Sequence, residues 1–139
     1  MSERRDLGEL VYRLLREIMA AEEPVLEAAG LTMWEYSVLT ALSRASAPNQ
    51  AALAERVGRD PTRLIPILDA LEGRGLVQRT PAPDDRRNRV VALTDVGRRK
   101  LGGCRRAIRR VEDDVLAGID PPDRGVLRGL LERTLDAGG

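Results

Sequence analysis

Histidine is absent from the 139-residue sequence, and cysteine occurs once, as Cys104. The first absence excludes Ser-His and Cys-His nucleophile pairs, histidine general bases and histidine metal ligands. The second excludes an internal disulfide and any cysteine-based zinc cluster. Carboxylate pairs remain, in "EDD" at 112–114 and "DD" at 84–85. Both stand in highly charged, solvated surroundings that offer no sheltered, perturbed titratable group. No glycine-rich stretch matches a phosphate-cradling fingerprint. The composition therefore points away from an enzyme and implies neither metal nor cofactor. Long apolar runs are also missing: nothing approaches the roughly 18–20 residues of a membrane span. The N-terminal "MSERRDLGEL" lacks the apolar core of a signal peptide, so the cytoplasm is the expected location, with no membrane partner. What is present, 42% hydrophobic and 32% charged residues, describes one globular domain.

The formal net charge of +1 conceals an uneven distribution. Between Asp84 and Arg110 ten basic residues face three acids, which gives this segment +7 and leaves −6 for the rest. Such a basic segment bears on nucleic-acid binding more than the whole-chain sum does. Arginine outnumbers lysine 22 to 1, so a solvated arginine-rich helix is the plainer explanation until the fold is placed. The segment opens with "DDRRNR", residues 84–89.

Leu7, Leu10, Val11, Leu14 and Ile18 recur at helical steps and predict a helix over 4–29, stopped by Gly30. Thr32 with Glu35 is a capping box for a second helix that carries Trp34, Val38, Leu39 and Leu42 inward. "SAPNQ" breaks the chain, and "QAALAERVG" is a short helix closed by Gly58. Asp60 and Pro61 start another helix, with Leu64, Ile67, Leu68 and Leu71 inward and its end near Gly73 or Gly75. Two short helices across a glycine turn make a helix-turn-helix. The β-favouring runs "LVQRT" (76–80) and "RVVAL" (89–93) follow. Between them, Pro81 and Pro83 are expected to push the chain out of the ladder as an open loop. A helix-turn-helix followed by a long-looped hairpin is a winged helix, with the arginines at the wing tip. Thr94 caps a long helix whose seam is Leu101, Cys104, Ile108, Val111 and Val115. On that seam Cys104 reads as a small buried hydrophobe. "DPPDR" opens a last helix with Val126, Leu127, Leu130, Leu131 and Leu135. The fold class is mostly α with a small β-hairpin wing.

This order of elements resembles the MarR family of bacterial transcription regulators. The specific part runs from "LAERVG" through "LDALEGRGLVQR" to "DDRRNRVVALTDVG". Its wing signature, Asp-x-Arg with Leu-Thr six residues after the arginine, is matched by Asp85, Arg87, Leu93 and Thr94. The resemblance implies a winged helix-turn-helix over about 32–94, dimerisation helices over about 1–30 and 117–139, and a linking helix over about 95–116 within one domain, 1–139. It implies a homodimer that binds double-stranded DNA as a transcription regulator, most often a repressor. Carried over, Arg87 enters the minor groove and Asp85 supports the wing by pairing with it, while Arg86, Asn88 and Arg89 meet phosphate. A narrow minor groove concentrates negative potential and attracts an inserted guanidinium, so the physics agrees.

Pro66 lies inside the recognition helix, where it removes a hydrogen bond to Thr62 and is expected to kink the helix. A similar proline occurs in the family's organic-peroxide-sensing branch, but the first helix here lacks that branch's cysteine. Of the outward residues Thr62, Arg63, Pro66 and Asp69, the base readers are expected to be Arg63, which can fork onto guanine, and Thr62. Asp69 is expected to pair with a neighbouring arginine. Family members are often released from DNA by small aromatic or anionic molecules; Tyr12, Arg16, Met33, Trp34 and Tyr36 are the candidate pocket here. Plain packing of Trp34 and Tyr36 between helices is the simpler explanation of both. The sparse polar face of the recognition helix leaves an alternative function, a winged-helix dimer that binds another protein and not DNA.

Overall fold

The computed structural model describes residues 3–138. Along it run α1 (Leu7–Ala29), α2 (Met33–Arg44), α3 (Gln50–Val57), α4 (Pro61–Gly73), β1 (Val77–Pro81), β2 (Arg89–Leu93), α5 (Asp95–Val115) and α6 (Pro121–Gly138). The chain divides into two compact units, Met1–Glu23 with Ala107–Gly139, and Pro24–Arg106. Helices α1 and α5 each run through a boundary between the two.

The second unit is a winged helix, and local sequence chemistry places each of its turns. Gly30 takes φ 69° and ends α1. The Thr32 hydroxyl accepts from the Glu35 N–H at 3.1 Å while Glu35 Oε1 accepts from the Thr32 N–H at 2.8 Å, the expected capping box. Asn49 caps α3 through Oδ1 on the Ala52 N–H at 2.8 Å, and Asp60 caps α4 through Oδ1 on the Thr62 N–H at 2.7 Å. Each such cap is worth about 1 kcal/mol. Gly58, at φ 69°, closes α3 with its N–H on the carbonyls of Ala54 and Glu55. The core is filled by Val38, Leu39 and Leu42 from α2, Leu53 from α3, Leu64, Leu68 and Leu71 from α4, and Val77 and Val91 from the hairpin. Leu64, Leu68 and Leu71 stand one turn apart on one stripe, and burying each contributes about 2 kcal/mol.

β1 and β2 pair antiparallel, from Val77 opposite Leu93 to Pro81 opposite Arg89. The ladder therefore holds Pro81, which the sequence pattern assigns to an open loop. It continues past Pro81 in a bond from the Ala82 N–H to the Asn88 carbonyl at 2.9 Å. Opposed residues alternate between bonded and non-bonded pairs, so the missing N–H of Pro81 falls at a position that needs none. Ala47 adds a short third edge, exchanging two 2.9 Å bonds with Val91 from the segment read as a simple break. Thr94 locks the hairpin to α5. Its hydroxyl donates to the Gly75 carbonyl at 2.6 Å and accepts from the Gly97 N–H at 3.0 Å. Gly97 allows this approach, because any Cβ there would overlap the Leu76 carbonyl oxygen. Cys104 and Leu101 are buried on α5, as the seam requires.

In the first unit the apolar stripes stay open. Ile108 is buried, whereas no described residue of α6 is. Leu7, Leu10, Val11 and Leu15 on α1 and Val126, Leu130, Leu131 and Leu135 on α6 are all exposed. The turn before α6 is closed by Arg124, whose Nε donates to the carbonyls of Leu116 and Ile119, each at 3.1 Å. None of the described helices is long and apolar enough to cross a membrane.

Candidate nucleic-acid interface

The first turns of α3 and α4 and the wing meet around a groove of about 390 Å³. The N-cap Asn49 lines it with Gln50 and Ala51 from α3, Pro61, Thr62 and Ile65 from α4, and Arg87, Asn88 and Arg89 from the wing. The first turns of α3 and α4 bring their positive dipole ends here, although Asn49 and Asp60 already cap N–H groups at both, and the guanidinium groups add full charges beside them. Among the described residues, none of Arg86, Arg87 and Arg89 has a carboxylate within ion-pair distance. All three are exposed. The rim thus carries cations left open to an external anion.

The wing tip is shaped by Asp85, by a route other than the expected ion pair with Arg87. Its Oδ1 accepts from the Arg87 backbone N–H at 3.0 Å, and its carbonyl accepts from the Asn88 N–H at 3.0 Å. A carboxylate closing on the main chain two residues ahead is an Asx turn. The Arg87 guanidinium is left unclaimed by it.

Arg79, which sequence reasoning passed over, is the opposite case. Its side chain is only 17% exposed and donates to Asp69 Oδ1 at 2.6 Å, Glu72 Oε1 at 3.2 Å and Gln50 Oε1 at 3.1 Å. The expected pairing of Asp69 with an arginine is made here. The hydrogen bond to Glu72 chiefly holds the Arg79 pKa above its ordinary value, and the same bond holds the Glu72 carboxyl below its own. One strand arginine therefore ties β1 to both helices of the helix-turn-helix and fixes the wing's base.

On α4, Leu64 and Leu68 are buried as expected and Ile67 is half-buried. Thr62, Arg63, Pro66 and Asp69 all face solvent, and the helix runs uninterrupted through Pro66. Thr62 shares the groove with Arg87, Asn88 and Arg89, whereas Arg63, Pro66 and Arg86 are outside its lining. Ile65, 42% exposed, lines the groove and was missed. The available signal was its place about 100° round the helix from Leu64, off the buried stripe.

The residues expected to hold an effector divide between the units. Tyr12 and Arg16 belong to the first, with the Arg16 guanidinium 5.9 Å from the Tyr12 ring centroid. Met33, Trp34 and Tyr36 belong to the second. Trp34 is not turned fully inward as expected; it is 37% exposed, and the Arg59 guanidinium covers its ring at 4.2 Å. An arginine from the helix-turn-helix turn takes the place of an apolar neighbour. Tyr36 is half-buried; burial raises its pKa, and the neighbouring Arg105, which also donates to Ser43 Oγ at 3.2 Å, works against that rise.

Residues 31–88 match the model of the MarR family. A protein of Thauera aromatica, assigned as a transcriptional regulatory protein for the hcr operon, is 30% identical over 91% of this chain and 78% of its own length. CouR from Rhodococcus jostii RHA1, solved with p-coumaroyl-CoA, is 31% identical over 94% of each chain with a TM-score of 0.76. CouR, as a transcriptional repressor, has also been solved on a 23-mer DNA duplex, at 29% identity over 96% of this chain and 99% of that one, TM-score 0.80. The Mycobacterium tuberculosis MarR family protein Rv2887, solved with DNA, is 27% identical over 94% of this chain and 98% of its own, with a TM-score of 0.82.

Proposed function

This chain belongs to the MarR family, and we propose that it works as a homodimeric, sequence-specific double-stranded-DNA-binding repressor in the cytoplasm. The observation that carries this reading is the groove that brings three wing residues, two of them unpaired arginines, to the first turns of α3 and α4. Phosphates take the cationic rim, and base edges take the outward face of α4. Arg87 enters the minor groove, Arg86, Asn88 and Arg89 meet phosphate, and Thr62 and Arg63 face bases. The exposed leucines of α1 and α6 form the dimer contact. CouR and Rv2887, both solved on DNA, support the DNA partner. The complex of CouR with p-coumaroyl-CoA supports release by a small aromatic or anionic effector.

The test is a salt titration of binding to duplexes enriched from a random pool. Affinity is expected to fall steeply with salt through counterion release. Arg87→Ala is expected to cost about 1–3 kcal/mol and to lessen any preference for A·T-rich flanks. Arg89→Ala is expected to weaken all duplexes alike and to lower the salt slope by about one unit. Indistinguishable behaviour of the two variants on both kinds of flank would reduce the wing to an electrostatic clamp. Absence of binding to any duplex at low salt would reject the DNA reading in favour of a protein-binding module.

A further inference from the structure

Helix α4 leaves one large apolar side chain in the open, and it does so inside the groove. Ile65 is 42% exposed, while Leu64 beside it is fully buried. Single apolar residues on a surface are ordinary. Ile65 differs in its surroundings: Thr62, one turn before it, Ala51 and Pro61 line the same groove, and so do the amides of Asn49, Gln50 and Asn88 and the guanidinium groups of Arg87 and Arg89. A groove that holds both apolar and cationic side chains fits a polyanion that carries a small apolar group. On the major-groove edge of duplex DNA that group is the C5 methyl of thymine, for which isoleucine and the threonine methyl are suitable contacts. No guanidinium of α4 shares this groove, since Arg63 is outside its lining. On this flank the helix has no fork for guanine and no amide for adenine.

We propose that Ile65, seconded by the Thr62 methyl, is a specificity-determining residue that reads thymine methyl groups in the major groove. The inference rests on the DNA-binding reading and adds the chemical feature being read. Its consequence is that the preferred site contains, in each half, a thymine whose value lies in its methyl and not in its hydrogen-bonding edge. Deoxyuridine in that place keeps the pairing, the O4 acceptor and the backbone, and removes only the methyl.

The experiment takes the duplex most enriched by the full-length protein from a random pool and replaces each thymine singly with deoxyuridine. Wild-type affinity is expected to drop about three- to fivefold at one thymine of each half-site, the worth of one buried methyl. Ile65→Ala is expected to lose most of the discrimination between thymine and deoxyuridine at that position, with only the share of the Thr62 methyl left and an unchanged salt slope. Ile65→Thr, which keeps the β-branch and one methyl, is expected to fall between them and serves as a second, milder variant. Equal wild-type binding at every substituted thymine would overturn the proposal while leaving DNA binding intact. Discrimination that survives undiminished in Ile65→Ala would overturn it as well, because a residue other than Ile65 would then be the reader. If no duplex is enriched or bound even at low salt, the DNA-binding reading falls and takes this inference with it.

Discussion

The two units of this chain differ in how they treat their leucines. In the winged unit Leu39, Leu53, Leu64, Leu68 and Leu71 are all withdrawn from solvent, whereas Leu10, Leu130 and Leu131 of the helical unit each keep nearly half their surface exposed. Both sets stand at helical spacing on amphipathic stripes, so periodicity alone does not tell them apart. The difference is what covers them. Short helices, a hairpin and tight caps close the first core from within one chain. Two long helices have no such cover, and their apolar area is the driving force left over for association.

That contrast is open to test by making the same kind of change on each side. Leu68→Ala is expected to lower the stability of the winged unit by about 2–5 kcal/mol, through lost burial and the cavity left behind. Denaturant unfolding at fixed protomer concentration measures this; a cost below 1 kcal/mol would mean that the core is looser than its burial implies. Leu10→Glu combined with Leu130→Glu is expected to weaken self-association by more than about 100-fold, or 2.7 kcal/mol, with the winged unit's secondary structure kept. Sedimentation across a concentration series reads it, and an unchanged dimer would reject α1 and α6 as the contact.

A smaller effect is expected at Arg79, where the winged unit binds its charge as tightly as it packs its leucines. Arg79→Ala removes hydrogen bonds to Asp69, Glu72 and Gln50 and leaves two carboxylates of α4 without their shared cation. A loss of about 2 kcal/mol is expected, discounted from the fully buried case because both carboxylates reach water. The lowered Glu72 pKa fixes the sign with pH. The pair's contribution is complete above the ordinary carboxylate range and fades as pH falls through the folded-state value. A wild-type minus variant difference that stays constant down to pH 3 would contradict this.

What the sequence made legible follows the range of the interactions. The capping box at Thr32 and Glu35, the caps at Asp60 and Thr94 and the closing turn at Gly58 each depend on residues a few positions apart. All were readable. The stripe Leu64, Leu68 and Leu71 was readable for the same reason. Arg79 was not, because one of its acceptors, Gln50, lies 29 residues away and shows in no local pattern. Pro81 misled because a general rule about proline and ladders ignores which positions of an antiparallel pair need an N–H. The wing was placed correctly, but the mode of Asp85 was not: a carboxylate two residues before a backbone N–H closes a turn more readily than it reaches a mobile guanidinium. The helix position of Trp34 predicts an inward ring, and Arg59, a partner supplied by the next helix pair, covers it instead.

The smallest expected effect returns the comparison to charge, and it has the opposite sign. Glu22, in the helical unit, is half-buried. Burial chiefly raises its pKa, and the charge of Glu112 in the same unit raises it further. A carboxyl whose folded pKa lies above its unfolded one holds its proton more tightly in the folded state. Its favourable contribution is therefore complete below the ordinary carboxylate range and lost as pH rises through the folded value, so at neutral pH the ionised group is a net cost. Glu22→Gln removes that cost and is expected to raise stability at pH 7 by less than about 1 kcal/mol, given partial solvent screening. Near pH 4 the gain is expected to vanish, because the wild-type side chain is then largely neutral too. Glu112→Gln is expected to give a lesser gain, since charge repulsion is the second cause and burial the first. Thermal unfolding at both pH values, at one protomer concentration so that association is held fixed, separates the outcomes. A Glu22→Gln gain of equal size at both pH values would show that the glutamine improves packing and that the buried charge carries no penalty.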